Sequence, residues 1–168
     1  QEQSDYPAIF PDYVGVTIPY NIAPLNFRLN FPAERCLVRI GERTYSGKQS
    51  IRFDEKEWRQ LLEANKGKTI EVELYTKQVG VWSHWKNFPI HVSDRAIDSH
   101  LVYRLIEPGY EKWHIVGIYQ RNLTNFEETP IIRNDMTGHN CMNCHTFCMG
   151  DPGQMLFHMR AANGATYL

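Results

Sequence analysis

The sequence predicts a mainly β chain: a β-sandwich-like domain with one short helix over residues 1–134, then a small irregular or short-helical segment over 135–168. Three observations carry this. Several short segments alternate apolar and polar residues with a period of two, and turn residues separate them at regular spacing, which is the pattern of half-buried strands in a sandwich. Proline recurs at Pro7, Pro11, Pro19, Pro24 and Pro32, a spacing that forbids helix and favours edge strands and extended connections. After Asn134 the texture changes to Cys, His, Met and Gly, so a boundary is expected there.

Leu25, Phe27, Leu29 and Phe31 alternate with Asn26, Arg28 and Asn30, a strand with one apolar face. Cys36 to Ile40 reads as the next strand, ended by Gly41. Asp54 is a candidate helix N-cap with Glu57 three residues on, and Trp58, Leu61 and Leu62 follow at helical spacing until Gly67. This helix should pack Trp58, Leu61 and Leu62 onto a sheet. Ile70, Val72 and Leu74 alternate with Glu71, Glu73 and Tyr75, a turn at Gly80 leads into Val81 to Trp85, and Pro89 to Val92 reads as a further strand. Leu101 to Ile106 and Trp113 to Gln120 flank Glu107-Pro108-Gly109-Tyr110, a strong hairpin signal. Leu123 to Asn134 reads as a long connection.

The 18 Lys and Arg residues against 19 Asp and Glu give a net charge of -1. That balance argues against nucleic acid, whose phosphates require a concentrated basic surface. Apolar runs such as Phe88-Pro89-Ile90 fall far short of the roughly 20 residues of a membrane-spanning helix, so no span is expected in this chain. No initiator Met precedes Gln1, so a processed or trimmed start is expected, compatible with export and with a lipid anchor at a removed N-terminus. Gly164 to Leu168 looks like the opening of a strand, from which continuation into a longer protein is expected.

Cys36 stands alone, whereas Cys141, Cys144 and Cys148 lie within eight residues. A disulfide framework spreads its cysteines along the chain; a local cluster points to metal, redox chemistry or haem. Cys141-Met142-Asn143-Cys144-His145 matches the c-type haem attachment pattern at every required position. Two thiols add across the two vinyl groups of one porphyrin, and the His after the second Cys becomes the proximal iron ligand. From 4 Cys and 7 His in 168 residues, chance produces the pattern about 0.004 times. Met149, Met155, Met159, His139 and His158 are candidates for the distal ligand. Met155, His158 and Met159 would share one face of a short helix, with His158 favoured, or the methionines would form an apolar wall against the porphyrin. The alternatives are a zinc site drawn from His139, Cys141, Cys144, His145 and Cys148, and a local disulfide or thioredoxin-like pair, although no βαβ setting precedes Cys141.

Elsewhere blander readings prevail. Trp82, His84, Trp85 and Trp113 have the chemistry of a sugar-stacking face, but aromatic residues in strands are more often core or cross-strand pairs. His91, His100 and His114 read as structural histidines, and Cys36 as a small buried hydrophobe. Asn122-Leu123-Thr124 is a glycosylation sequon without weight in a bacterial setting. There is no Gly-rich phosphate loop and no nucleophile–base pair, so an electron carrier or binding protein is expected before an enzyme.

Longer phrases carry a resemblance. Pro11-Asp12-Tyr13, Ile18-Pro19 with Asn21 to Phe27, Leu101 to Glu111, Gln120 to Phe126 and Asn140 to His145 together resemble a family of exported, cytochrome c-like Bacteroidetes proteins. In that family a β-rich N-terminal region and a CxxCH segment precede a TolB-like β-propeller. The resemblance implies a periplasmic or cell-surface location and a propeller beyond this stretch. The expected function is one-electron transfer or haem-based redox sensing, with haem c as cofactor and an unknown redox or cell-envelope protein as partner. The competing expectation is a non-redox binding or assembly module whose Cys/His cluster is a zinc site or disulfide.

Overall fold

The computed structural model describes residues 1–161 and 164–167, with Tyr110, Asn143 and Tyr167 described by their backbone alone. The chain is mainly β, as its alternating segments require, and it divides into two compact units, Gln1–Ile97 and Asp98–Leu168.

The first unit contains β1 (Ile9–Phe10), β2 (Thr17–Pro19), β3 (Phe27–Leu29), β4 (Arg35–Ile40), β5 (Arg43–Gly47) and β6 (Ser50–Ile51). Helix α1 (Glu55–Ala64) follows, then β7 (Thr69–Gln78), β8 (Val81–His84) and β9 (Phe88–Ser93). Strands β1, β3 and β6 form a three-stranded sheet, and a six-stranded sheet has the order β2-β9-β7-β4-β5 with β8 paired to β7. Strand β4 shows why one face is buried: Cys36, Val38 and Ile40 point inward while Arg35 and Arg39 face water. Strand β7 repeats this with Ile70, Val72, Leu74 and Thr76 inside. Ile9, Phe27, Leu29 and Ile51 of the small sheet join them, with Trp58 and Leu62 of α1, in one core.

The helix starts where its cap predicts. The Asp54 carboxylate accepts the Glu57 backbone N–H at 2.9 Å, satisfying one of the N-terminal donors that a helix leaves unpaired. Trp58 is 1% exposed and its indole N–H donates to the Ile22 carbonyl at 3.2 Å, so the polar end of a buried ring is paired. Cys36 is buried as expected, and burial pushes its thiol pKa up.

The second unit contains β10 (His100–Leu105), β11 (Gly117–Asn122), β12 (Glu128–Arg133), β13 (Cys141–Phe147), β14 (Met155–Arg160) and β15 (Thr166–Tyr167). Strands β10-β11-β12 form one antiparallel sheet and β13-β14-β15 another. The hairpin expected around Pro108-Gly109 is present, with Leu105 opposite Gly117, but Trp113–Ile115 forms a short 3-10 turn rather than the start of the returning strand. The expected connection over 123–134 contains β12 instead. Pro130 lies there because the register shifts between Ile118 and Tyr119, and an irregular ladder tolerates a residue without an N–H. The break between units falls at Ile97/Asp98, earlier than the boundary expected near Asn134. Asn134 is itself buried within the second unit. The irregular or short-helical character expected over 135–168 gives way to strands, because β13 and β14 pair along their lengths. The strand expected near Gly164–Leu168 is present as β15, with Leu168 outside the described residues.

Candidate functional site

The CxxCH segment is strand β13, and its geometry follows from pairing with β14. Cys141 lies opposite Arg160, Met142 opposite Met159, Cys144 opposite His158, His145 opposite Phe157 and Phe147 opposite Met155. Directly opposed residues in an antiparallel pair share a face, and successive residues alternate. In a regular strand, positions 141 and 144 would therefore point in opposite directions. The register instead shifts between Met142 and Cys144, so Asn143 is an inserted bulge residue and both cysteines fall on one face. His158, directly across from Cys144, shares that face.

The other face holds Met142, His145, Phe147, Met155 and Met159 by the same alternation. Met142 is 1% exposed and belongs to the core of the second unit with Val116, Ile118 and Tyr119. His145 meets Phe147 edge-on, ring centroids 6.1 Å apart. Met159 Sδ accepts weakly from the Asn140 amide at 3.9 Å. Phe147 and Met155 open onto a cleft of about 950 Å³ within the second unit, whose other walls include His100, Leu101, Gln120 and Ile131.

The expected helical face of Met155, His158 and Met159 is therefore absent. In a strand the period of two separates His158 from both methionines. Cys148 and Met149 sit at the far end of the hairpin, in its turn, where Cys148 N–H donates to the Gln154 carbonyl at 3.0 Å and Met149 is fully exposed. His139 adopts a left-handed conformation (φ 65°) before β13, and its carbonyl accepts the Trp113 indole N–H at 3.0 Å. Among the described residues, no three of His, Cys, Asp and Glu converge as a metal-binding group.

Sequence reasoning passed over Asn134, the residue that sets where β13 begins. It is 0% exposed, its side-chain oxygen accepts the Met142 N–H at 2.8 Å and its amide nitrogen donates to the Trp113 carbonyl at 3.0 Å. Its backbone N–H donates to the Val116 carbonyl and its own carbonyl accepts from His139. A single buried amide thus ties the 3-10 turn at Trp113, the approach to the motif and the first residues of the motif. Its only signal in the sequence is an Asn at the head of a turn, which is too common to single out.

The thiols fit covalent haem attachment: Cys144 is exposed, Cys141 is half-buried and both share a face with an imidazole. His145 does not fit in the strand conformation, because it points to the opposite face from the cysteines that would hold the ring. No protein-family model, curated protein or solved structure matches this chain.

Proposed function

We propose that this chain carries haem c, attached through Cys141 and Cys144, and serves one-electron transfer or redox sensing in the periplasm or at the cell surface. The observation that supports this best is the bulge at Asn143, which turns both thiols of a CxxCH motif to one side of the hairpin. Cys141 and Cys144 would hold the porphyrin by thioether bonds, each Sγ–H adding across one vinyl C=C with no net oxidation. When bound, the group supplies an Fe(III)/Fe(II) couple.

The residues divide the remaining work. His158 stands on the thiol face and would supply an imidazole to hold the iron, where a His in place of a methionine would lower the potential. His145 would take the proximal role that its place in the motif assigns, which would require residues 145–147 to turn out of the strand while Cys144 keeps its place opposite His158. Arg160, opposite Cys141, supplies a cation on the same face. The burial pattern of the second unit supports a bound apolar group. Its buried apolar side chains among the described residues are Val116, Ile118, Tyr119 and Met142, while Leu101, Ile131, Leu156 and Phe157 are exposed. A unit this small usually needs a staple, metal or cofactor beyond its own core.

A second reading is favoured by the position of His145 on the face opposite the cysteines: a non-redox assembly module in which Cys141 and Cys144, on one face, are stapled as a disulfide or hold zinc with residues of a partner. A pyridine haemochrome spectrum of protein matured in a periplasm with a c-type maturation system separates the two. A c-type band that survives denaturation and disappears in C141A/C144A is expected. A spectrum without that band, together with about one zinc per chain or an oxidised cysteine pair, overturns the haem reading.

A further inference from the structure

The solvent face of the six-stranded sheet in the first unit carries a second chemistry, unrelated to the cysteines. Its rows are set by register: Thr44, Arg39 and Glu73 form one, Leu37, Tyr75 and His84 the next, and Lys77 lies opposite Trp82 in the third. Trp82 is 41% exposed, on the short outer strand β8. Leu37, Arg39, Thr44, Tyr75 and Trp82 together line a shallow open depression of about 330 Å³.

This face is pre-ordered. Glu73 Oε2 accepts the Arg39 guanidinium (Nε at 3.0 Å) and the Tyr75 hydroxyl at 2.9 Å. The Arg39 hydrogen bonds hold the Glu73 carboxyl below its ordinary range, so it stays an acceptor. The Tyr75 ring stacks on His84, centroids 4.4 Å apart and planes 12° from parallel. His84 is itself fixed by Glu2 at 2.9 Å on Nδ1 and Asn87 at 3.0 Å on Nε2. Side chains already held in place lose little freedom on binding, which favours affinity.

We propose that this depression binds a neutral pyranose of a glycan, stacked on Trp82 and hydrogen-bonded by Arg39, which Glu73 holds in place. A pyranose with equatorial hydroxyls has an apolar C–H face and a polar rim, and the lining of the depression offers the same pair: an exposed indole together with a guanidinium and the Thr44 and Tyr75 hydroxyls. A protein partner needs roughly 800 Å² of surface on each side. Here the neighbours of Trp82 and Leu37 on the outward positions of β4, β5 and β7 are Thr44, Ser46, Arg35 and Lys77, a polar surround that suits a sugar's hydroxyl rim.

The test is an NMR titration of the full chain with cellohexaose, xylohexaose and maltohexaose, observing the Trp82 indole N–H. A saturable shift with at least one sugar is expected, with affinity weakened at least about tenfold in Trp82→Ala and retained in part in Trp82→Phe. No shift of the Trp82 signal with any of the three up to about 10 mM, or equal binding by Trp82→Ala, overturns the proposal.

Discussion

At the scale of single residues, Asn134 and Tyr103 make the sharpest claims. Asn134→Ala strands the Met142 N–H in a buried place, at a cost of about 1–3 kcal/mol, and removes one donor from the Trp113 carbonyl, which keeps the Val116 N–H at 3.3 Å. The expected outcome is a loss of about 1–3 kcal/mol in the second unit, read from hydrogen exchange of its strand amides, with the first unit unchanged. Tyr103 lies in β10 and donates its hydroxyl to Glu128 across the sheet. Desolvation first, and then the hydrogen bond and charge of that carboxylate, push its pKa up to about 12 from 10.0. The folded state therefore holds the phenol proton more tightly than the unfolded chain does. The stabilisation this brings is complete below about pH 10 and is lost as pH rises towards about 12. Absorbance titration of tyrosinate should show a step near pH 12 that is missing from Tyr103→Phe.

At the scale of elements, the bulged hairpin joins motif and fold. The bulge makes positions 141 and 144 equivalent to next-but-one neighbours, which is why both thiols share a face. Deleting Asn143 should keep them on that face and keep the β13–β14 register, while changing the motif to Cys-x-Cys-His. On the proposed haem reading, attachment should then fall to background in a periplasm with a c-type maturation system, whereas amide exchange along β14 stays as in the parent protein. A deletion variant that is still loaded would show that shared orientation, not CxxCH spacing, governs attachment. The neighbouring sheet is less forgiving. A Cβ on Gly117 would lie 2.2 Å from the Ile132 carbonyl oxygen and 2.8 Å from the Arg133 α-carbon, so β11 and β12 approach closely enough to exclude any larger residue without backbone movement.

At the scale of the whole molecule, the two units differ in how they are held. The first has a continuous core of two sheets and a capped helix; the second relies on a few buried side chains and on Asn134. Residues 94–99 between them are exposed, and Arg95 is the basic residue in that stretch. The Asn21 side chain holds Ile97 through both of its backbone polar groups, each at 2.9 Å. Limited trypsin digestion should therefore cut first after Arg95, giving fragments 1–95 and 96–168 on a gel before internal sites are lost. An initial cut within β4 or β7 would contradict this.

How much of this was readable beforehand depends on the range of the interactions. The helix at Glu55–Ala64 and strands β4, β7 and β9 are written locally, in the Asp54 cap and in alternation where one face meets a core. The CxxCH spacing is likewise a property of the chain alone. The run Met155 to Arg160 is apolar at positions that suit either a helix or a strand, and the choice falls to its partner, since strand hydrogen bonds are made with β13 and not within the segment. The same distant pairing creates the bulge, puts Cys141 and Cys144 on one face with His158, and turns His145 away from them. Residue types and spacing were thus settled by the chain itself. Which groups face one another was settled by cross-strand register, because a register is a relation between segments that neither one encodes by itself.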